Sequence, residues 1–346
     1  MSATHTIGSR NIGVDLAKFF ACIGVLIVHL VGRDSSPVNG AMFFLAGIAV
    51  PVFFIANGYF ILNRRLLTYD YVFKKLLAVT SVVLLWSALW WSVMCLKDRA
   101  FVNPLVVLLK SVLGLGGLSW FWFFGALVLV QLLAPVLSDI NSRTPHSQAV
   151  LLFIACVSCL FVHALDLRAM NSSFLGVLAV PEALRLWTWV AYFLWGGVLG
   201  SRRFKDWARS HVSKKRILLL LVACACLVVV FQYVICCCGY GIKWPEHFYD
   251  SPITMAFALL FFIACDLYSP RAFVQNVCEG GILSEASCCI MGVYIIHPFI
   301  WQFIQHFYSF MNPLFNLFIV VLVGVVSFAI THCLRGLSGL SRFVRL

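Results

Sequence analysis

Ten apolar stretches constrain this chain more than anything else in it. They lie near 13–31, 41–62, 75–96, 119–137, 149–167, 183–200, 216–238, 252–268, 286–308 and 313–333. Each is about as long as a helix must be to cross a bilayer, roughly 17–25 residues. In hydrocarbon every backbone N–H and C=O must find its partner inside the segment, so stretches of this kind fold as helices. The expected fold class is therefore all-α: a polytopic transmembrane helix bundle of about ten spans, forming one integral membrane domain over residues 1–346. Composition agrees. The chain is 62% hydrophobic and 11% charged, where soluble domains carry about 25% charged residues. That excludes a soluble enzyme and makes the lipid bilayer the first partner.

The net charge of +12 does not point to nucleic acid, because the basic residues sit in short loops between apolar spans. Arg64, Arg65, Lys74, Lys75 and the run Arg202–Arg216 fall on the same side as the N-terminus if ten spans alternate; the opposite loops hold few bases, such as Arg33, Lys97, Arg99 and Lys243. This bias predicts that both termini are cytoplasmic. The first span does not read as a cleavable signal peptide, since Asp15 and Lys18 interrupt its apolar stretch and no small-residue cleavage site follows. The segment 104–118, with Pro104, Lys110, Gly114, Gly116 and Gly117, is expected to be re-entrant or interfacial.

Most of the 14 cysteines lie inside apolar runs, where cysteine behaves as a small hydrophobe. Cys156 and Cys159 have the spacing of a redox or zinc pair but sit mid-span with no second pair nearby. No His/Asp/Glu cluster with ligand spacing is evident along the chain, so no metal is expected. The triplet Cys236–Cys238 receives no role.

Ionisable groups inside a span cost about 2.5–3.5 kcal/mol each on insertion scales, which makes them functional candidates. The first span carries Asp15, Lys18 and His29. At about 100° per residue, Lys18 and His29 differ by roughly 20° from whole turns, and Asp15 and His29 by roughly 40°. All three share one face, with Lys18 and His29 about 16 Å apart along the axis. Snorkelling accounts for Asp15 and Lys18 but not for their alignment with His29. In the second span, Asn57 is costly without a partner, Pro51 suggests a kink and Gly58 a close helix contact. In the ninth, Tyr294 and His297 stand three apart on one face, and Pro298 frees a carbonyl one turn back. His163 and Asp166 stand at a span edge and are expected to be a wet pair, while Trp120 and Trp122 read as interfacial belt residues.

Together these residues resemble the acyltransferase-3 family of integral membrane acyltransferases. The likeness runs in order along the chain. Lys18-x10-His29 matches the family's basic residue and histidine. Pro51 to Phe60 is similar to its Pro-Phe … Ser-Gly-Tyr segment, and Trp122 … Pro135 to its Trp-Phe … Pro span. Tyr192 … Gly197 is similar to its aromatic-glycine span, and Ser287 … Tyr294 … His297-Pro298 to its Ser … Tyr … His-Pro ending. Lys18 stands where arginine is usual, which loses the bidentate fork, and Asn57 where serine is usual. The lysine variant resembles the branch near the O-acetyltransferase of enterobacterial common antigen. His29 … Asp34 also fits the His-x4-Asp signature of glycerolipid acyltransferases, but their other motifs are missing.

The resemblance implies acyl transfer, acetyl by family default, from acyl-CoA to a hydroxyl of a cell-surface or lipid-linked glycan, in a bacterial plasma (inner) membrane. It implies acetyl-CoA as donor substrate and no permanently bound cofactor. His29 would be base or nucleophile, Lys18 would meet the CoA phosphates, and Asp15 would set the charge of Lys18. Asn57, Tyr59, Trp122, Tyr294 and His297 become candidates for binding the thioester or the acceptor, with Asn57 and Tyr294 as oxyanion donors. A transporter or flippase for a lipid-linked sugar or small anion fits ten spans and buried charges too, although no internal repeat is visible.

Overall fold

The computed structural model describes residues 11–31, 36–64, 66–98, 101–169, 180–237, 248–268, 282–306 and 312–344. Arg33, Asp34, Arg65, Arg99, Lys243 and Cys238 lie outside them. The described residues form helices joined by short loops, with no strand among them. The helices are α1 (Ile12–Leu30), α2 (Pro37–Ala46), α3 (Ala49–Ile61), α4 (Tyr69–Asp98), α5 (Pro104–Val112), α6 (Trp122–Arg143) and α7 (Pro145–Ala169). They continue with α8 (Leu186–Gly200), α9 (Arg202–His211), α10 (Lys214–Cys237), α11 (Pro252–Tyr268), α12 (Ile282–Ile304) and α13 (Pro313–Gly336). Eight stretches are long and apolar enough to cross a membrane, with α2 and α3 counting as one; α8 and α11 are shorter apolar helices. The chain is an all-α, multi-pass bundle.

Helix α1 sits at the centre, against α2, α3, α11, α12 and α13. Its start is fixed by Asn11, whose side-chain oxygen accepts from the backbone N–H of Gly13 and Val14. The outer helices α10 and α13 carry exposed Leu219, Val222, Phe318 and Val325, which suits a lipid-facing surface.

The second span is broken, and the cause is local. Proline clashes with the carbonyl four residues back; for Pro51 that residue is Gly47, where α2 ends. Pro51 is then the third residue of α3, where no intrahelical N–H is required. Beyond the break, α3 packs closely on α8. A Cβ on Gly58 would overlap the Phe193 carbonyl, and one on Gly196 would overlap the Ile55 carbonyl. Small residues let membrane helices approach in this way. Gly58→Leu is expected to yield no monodisperse protein on size exclusion in detergent. Gly324→Ala, whose Cβ meets only the flexible end of Leu26 at 3.1 Å, should behave as wild type.

The 104–118 segment forms α5, nine residues long, followed by a turn in which Gly114 takes φ +77°. That left-handed conformation suits glycine and returns the chain to the start of α6. Val107 and Ser111 of α5 are buried, while Leu105 and Leu109 are exposed.

Candidate active site

Helices α1 and α12 run in parallel, and two contacts fix their register. Near the start of α1, Lys18 Nζ lies 2.7 Å from Asp15 Oδ1 and donates to Ser287 Oγ at 3.0 Å. Ser287 Oγ donates to Asp15 Oδ1 at 2.8 Å, which closes a triangle. Near the end of α1, the ring centroids of His29 and His297 are 5.2 Å apart. Eleven residues on α1 thus match ten on α12, about 15 Å of helix on each side. Asp15 is buried, and the Lys18 side chain is 25% exposed.

A cavity of about 710 Å³ opens at the Lys18 end. Its cations are Lys18, Lys75 and Arg335, and its polar neutral groups are Asn57, Tyr71, Gln131, Ser287 and Tyr294. An ammonium has three N–H donors; Asp15 and Ser287 engage two of those of Lys18, and one remains for a ligand. Asn57 donates one amide hydrogen to the Phe53 carbonyl at 2.8 Å, which leaves the other hydrogen and the amide oxygen. Gln131 is buried, and its Oε1 has no hydrogen-bond partner among the described residues. Phe53, Phe123, Phe124 and Tyr294 give it an aromatic wall.

The two histidines differ. His29 is exposed, whereas His297 is fully buried. His297 Nδ1 lies 3.0 Å from the Val293 carbonyl. A carbonyl only accepts, so Nδ1 carries the proton and Nε2 of the neutral ring is an acceptor. That Nε2 has no hydrogen-bond partner among the described residues. His29 can therefore meet a substrate directly, and His297 backs it.

The other sequence candidates divide. Lys18, Asn57 and Tyr294 line the cavity; Asp15 holds Lys18 from behind. The Tyr294 hydroxyl donates to the Trp120 carbonyl, so its proton is already engaged. Tyr59 lies elsewhere. Its hydroxyl donates to Asp266 at 3.1 Å and accepts from Asn11 at 2.6 Å, and Lys205 sits 4.4 Å over its ring. It ties α1, α3 and α11 together. Trp122 is not in the cavity wall either; it packs on Trp189, which stacks on Phe54. Trp120 is buried, so neither tryptophan forms an exposed belt. His163 and Asp166, expected to be wet, are both buried, and His163 Nδ1 lies 3.7 Å from Asp250. The helix ends around them are packed together, which a span boundary read from hydropathy does not reveal.

Gln131, Lys75 and Arg335 line the cavity without standing out as site residues in the sequence. A glutamine inside an apolar span was a usable signal. Lys75 reads along the sequence as part of the charge bias of the loops.

Comparison with known families gives one match: the model described as an acyltransferase domain, of the acyltransferase-3 type, aligns with residues 11–332. No curated protein and no solved structure matches. The aligned region contains the Asp15–Lys18–Ser287 triangle, both histidines and nearly all of the cavity wall.

Proposed function

The chain belongs to the acyltransferase domain family and is a multi-pass membrane acyltransferase; on that premise we propose that it moves an acetyl group from acetyl-CoA to a hydroxyl of a cell-surface or lipid-linked glycan. The observation that carries this reading is the cavity with three cations at one end of α1, aligned with an exposed histidine at the other. The donor enters from the cytoplasmic side with its phosphates against Lys18, Lys75 and Arg335. Lysine binds phosphate as a point charge. Its pantetheine arm runs along the seam of α1 and α12, past Asn57 and Tyr294, towards His29.

At that end His29 accepts the proton of the acceptor hydroxyl. The oxygen attacks the thioester carbon, a C–O bond forms and the C–S bond breaks. The proton passes from His29 to the departing thiolate, so nothing is oxidised or reduced. His297 supports the ring of His29 from the buried side.

Release of CoA thiol in membranes containing the protein tests the reading. It is expected to require acetyl-CoA together with a glycan-lipid fraction. Thiol release that is the same without the protein would overturn it. Within that assay, Lys75→Ala should raise the KM for acetyl-CoA by up to about fivefold, because an exposed charge contributes about 1 kcal/mol or less. The kcat should stay near wild type. An unchanged KM would remove Lys75 from the donor site.

A further inference from the structure

The seam of α12 and α13 holds a group that the proposed reaction does not use. Glu285 and Cys289 stand four apart on α12, on one face, and His332 of α13 comes to meet them. A carboxylate oxygen, the thiol sulfur and an imidazole nitrogen all lie within 4.8 Å of one another. No spacing rule along the chain finds this set, because its members come from two helices. We propose that Glu285, Cys289 and His332 form a binding site for a soft divalent transition metal of the zinc class, and that Arg335 is the cation a metal ion displaces.

Thiolate, imidazole and carboxylate are the zinc ligand set, bound at about 2.0–2.3 Å. In a tetrahedron such bonds place donors roughly 3.3–3.8 Å apart. His332 Nδ1 is already 3.7 Å from Glu285 Oε2. Cys289 is buried, which fixes its sulfur, while Glu285 and His332 are about half exposed and free to close on an ion. Three protein ligands leave a fourth position for water.

Arg335 places one guanidinium nitrogen 3.3 Å from both Glu285 Oε2 and Cys289 Sγ. The group thus already holds a positive charge between two of its three donors. A divalent ion cannot share that position with a guanidinium, so binding moves Arg335 away. It also releases the Cys289 thiol proton, because sulfur ligates as the thiolate.

Arg335 has somewhere to go, because it also lines the Lys18 cavity. Metal binding would free its charge for the phosphates of a donor. By linkage, donor and metal would then raise each other's affinity by the same factor. This coupling rests on the acyl-CoA reading above; the metal site itself does not.

The test uses full-length protein in detergent with Co²⁺ as a spectroscopic probe and Zn²⁺ as competitor. One Co²⁺ per chain is expected, with near-ultraviolet thiolate-to-cobalt absorption that Zn²⁺ abolishes. Cys289→Ser and His332→Ala should each weaken binding at least tenfold, and Cys289→Ser should remove the absorption. Arg335→Gln should tighten binding. Cys226→Ser, an exposed cysteine on α10, should change nothing. Absorption that survives Cys289→Ser, or an affinity unmoved by Arg335→Gln, would overturn the site. With the site established, acetyl-CoA that leaves Co²⁺ affinity unaltered would overturn the coupling alone.

Discussion

His29→Ala is expected to lower the rate of acyl transfer by about 10²–10⁴-fold, the usual contribution of a positioned general base. The KM for acetyl-CoA should change little, since the cationic end of the cavity lies about three helical turns away. The paired experiment is His297→Ala. His297 is fully buried and its Nδ1 proton is held by the Val293 carbonyl, so its loss should cost less than the loss of His29. Its effect should fall on kcat through the placement of the neighbouring ring. Equal losses from both variants would make the pair a single unit. A larger loss from His297→Ala would reverse the roles given to the two rings. Both rates are read from single-turnover transfer at matched amounts of folded protein.

Asp15→Leu should destabilise the fold while leaving it able to assemble. Asp15 is 5% exposed and its oxygen meets both Lys18 and Ser287. Removing one partner of a buried ion pair costs about 3–5 kcal/mol, because the remaining charge is left uncompensated. The Lys18 side chain is 25% exposed, so the lower end, about 3 kcal/mol, applies here. The double variant Asp15→Leu/Lys18→Met removes both charges and should recover most of the loss. It should remain poor at binding acetyl-CoA, which separates the structural role of the pair from its role toward the donor. Thermal melting in detergent and donor titration read the two effects. If Asp15→Leu melts with wild type, the pair does not hold α1 to α12.

Much of this site was legible because helices have a fixed period. The alignment of Asp15, Lys18 and His29 follows from about 100° per residue, and all three meet α12 or its neighbours. Period also explains a residue that was read too freely. Tyr59 lies two residues, about 200°, beyond Asn57, so both cannot line one cavity. Phe53, Ala56, Asn57, Phe60 and Ile61 do line it, at helical spacing. Trp122 stands about 100° from Phe123, and it faces Trp189 instead.

What one helix cannot express is its register against another. Ser287 closes the triangle with Asp15 and Lys18 only because α1 and α12 run parallel over their whole contact. The same holds for Glu285, Cys289 and His332, whose meeting depends on the pairing of α12 with α13. The break at Gly47 was half visible: Pro51 signalled a disturbance, but its ring acts on the carbonyl four residues back rather than at its own position. Buried pairs at span ends, such as His163 with Asp250, are hidden for a further reason. Hydropathy locates where a helix leaves the apolar layer, not what covers it there.

The central claim is that this chain transfers an acyl group through the seam between Lys18 and His29. Its most direct test is the fate of acetyl-labelled acetyl-CoA in membranes holding the protein and lipid-linked glycans. The account predicts base-labile label in the glycan fraction, dependent on the protein and lost in His29→Ala. Label that never leaves CoA, while vesicles carrying the protein accumulate an unmodified sugar or anion, would contradict it and make the chain's activity one of transport.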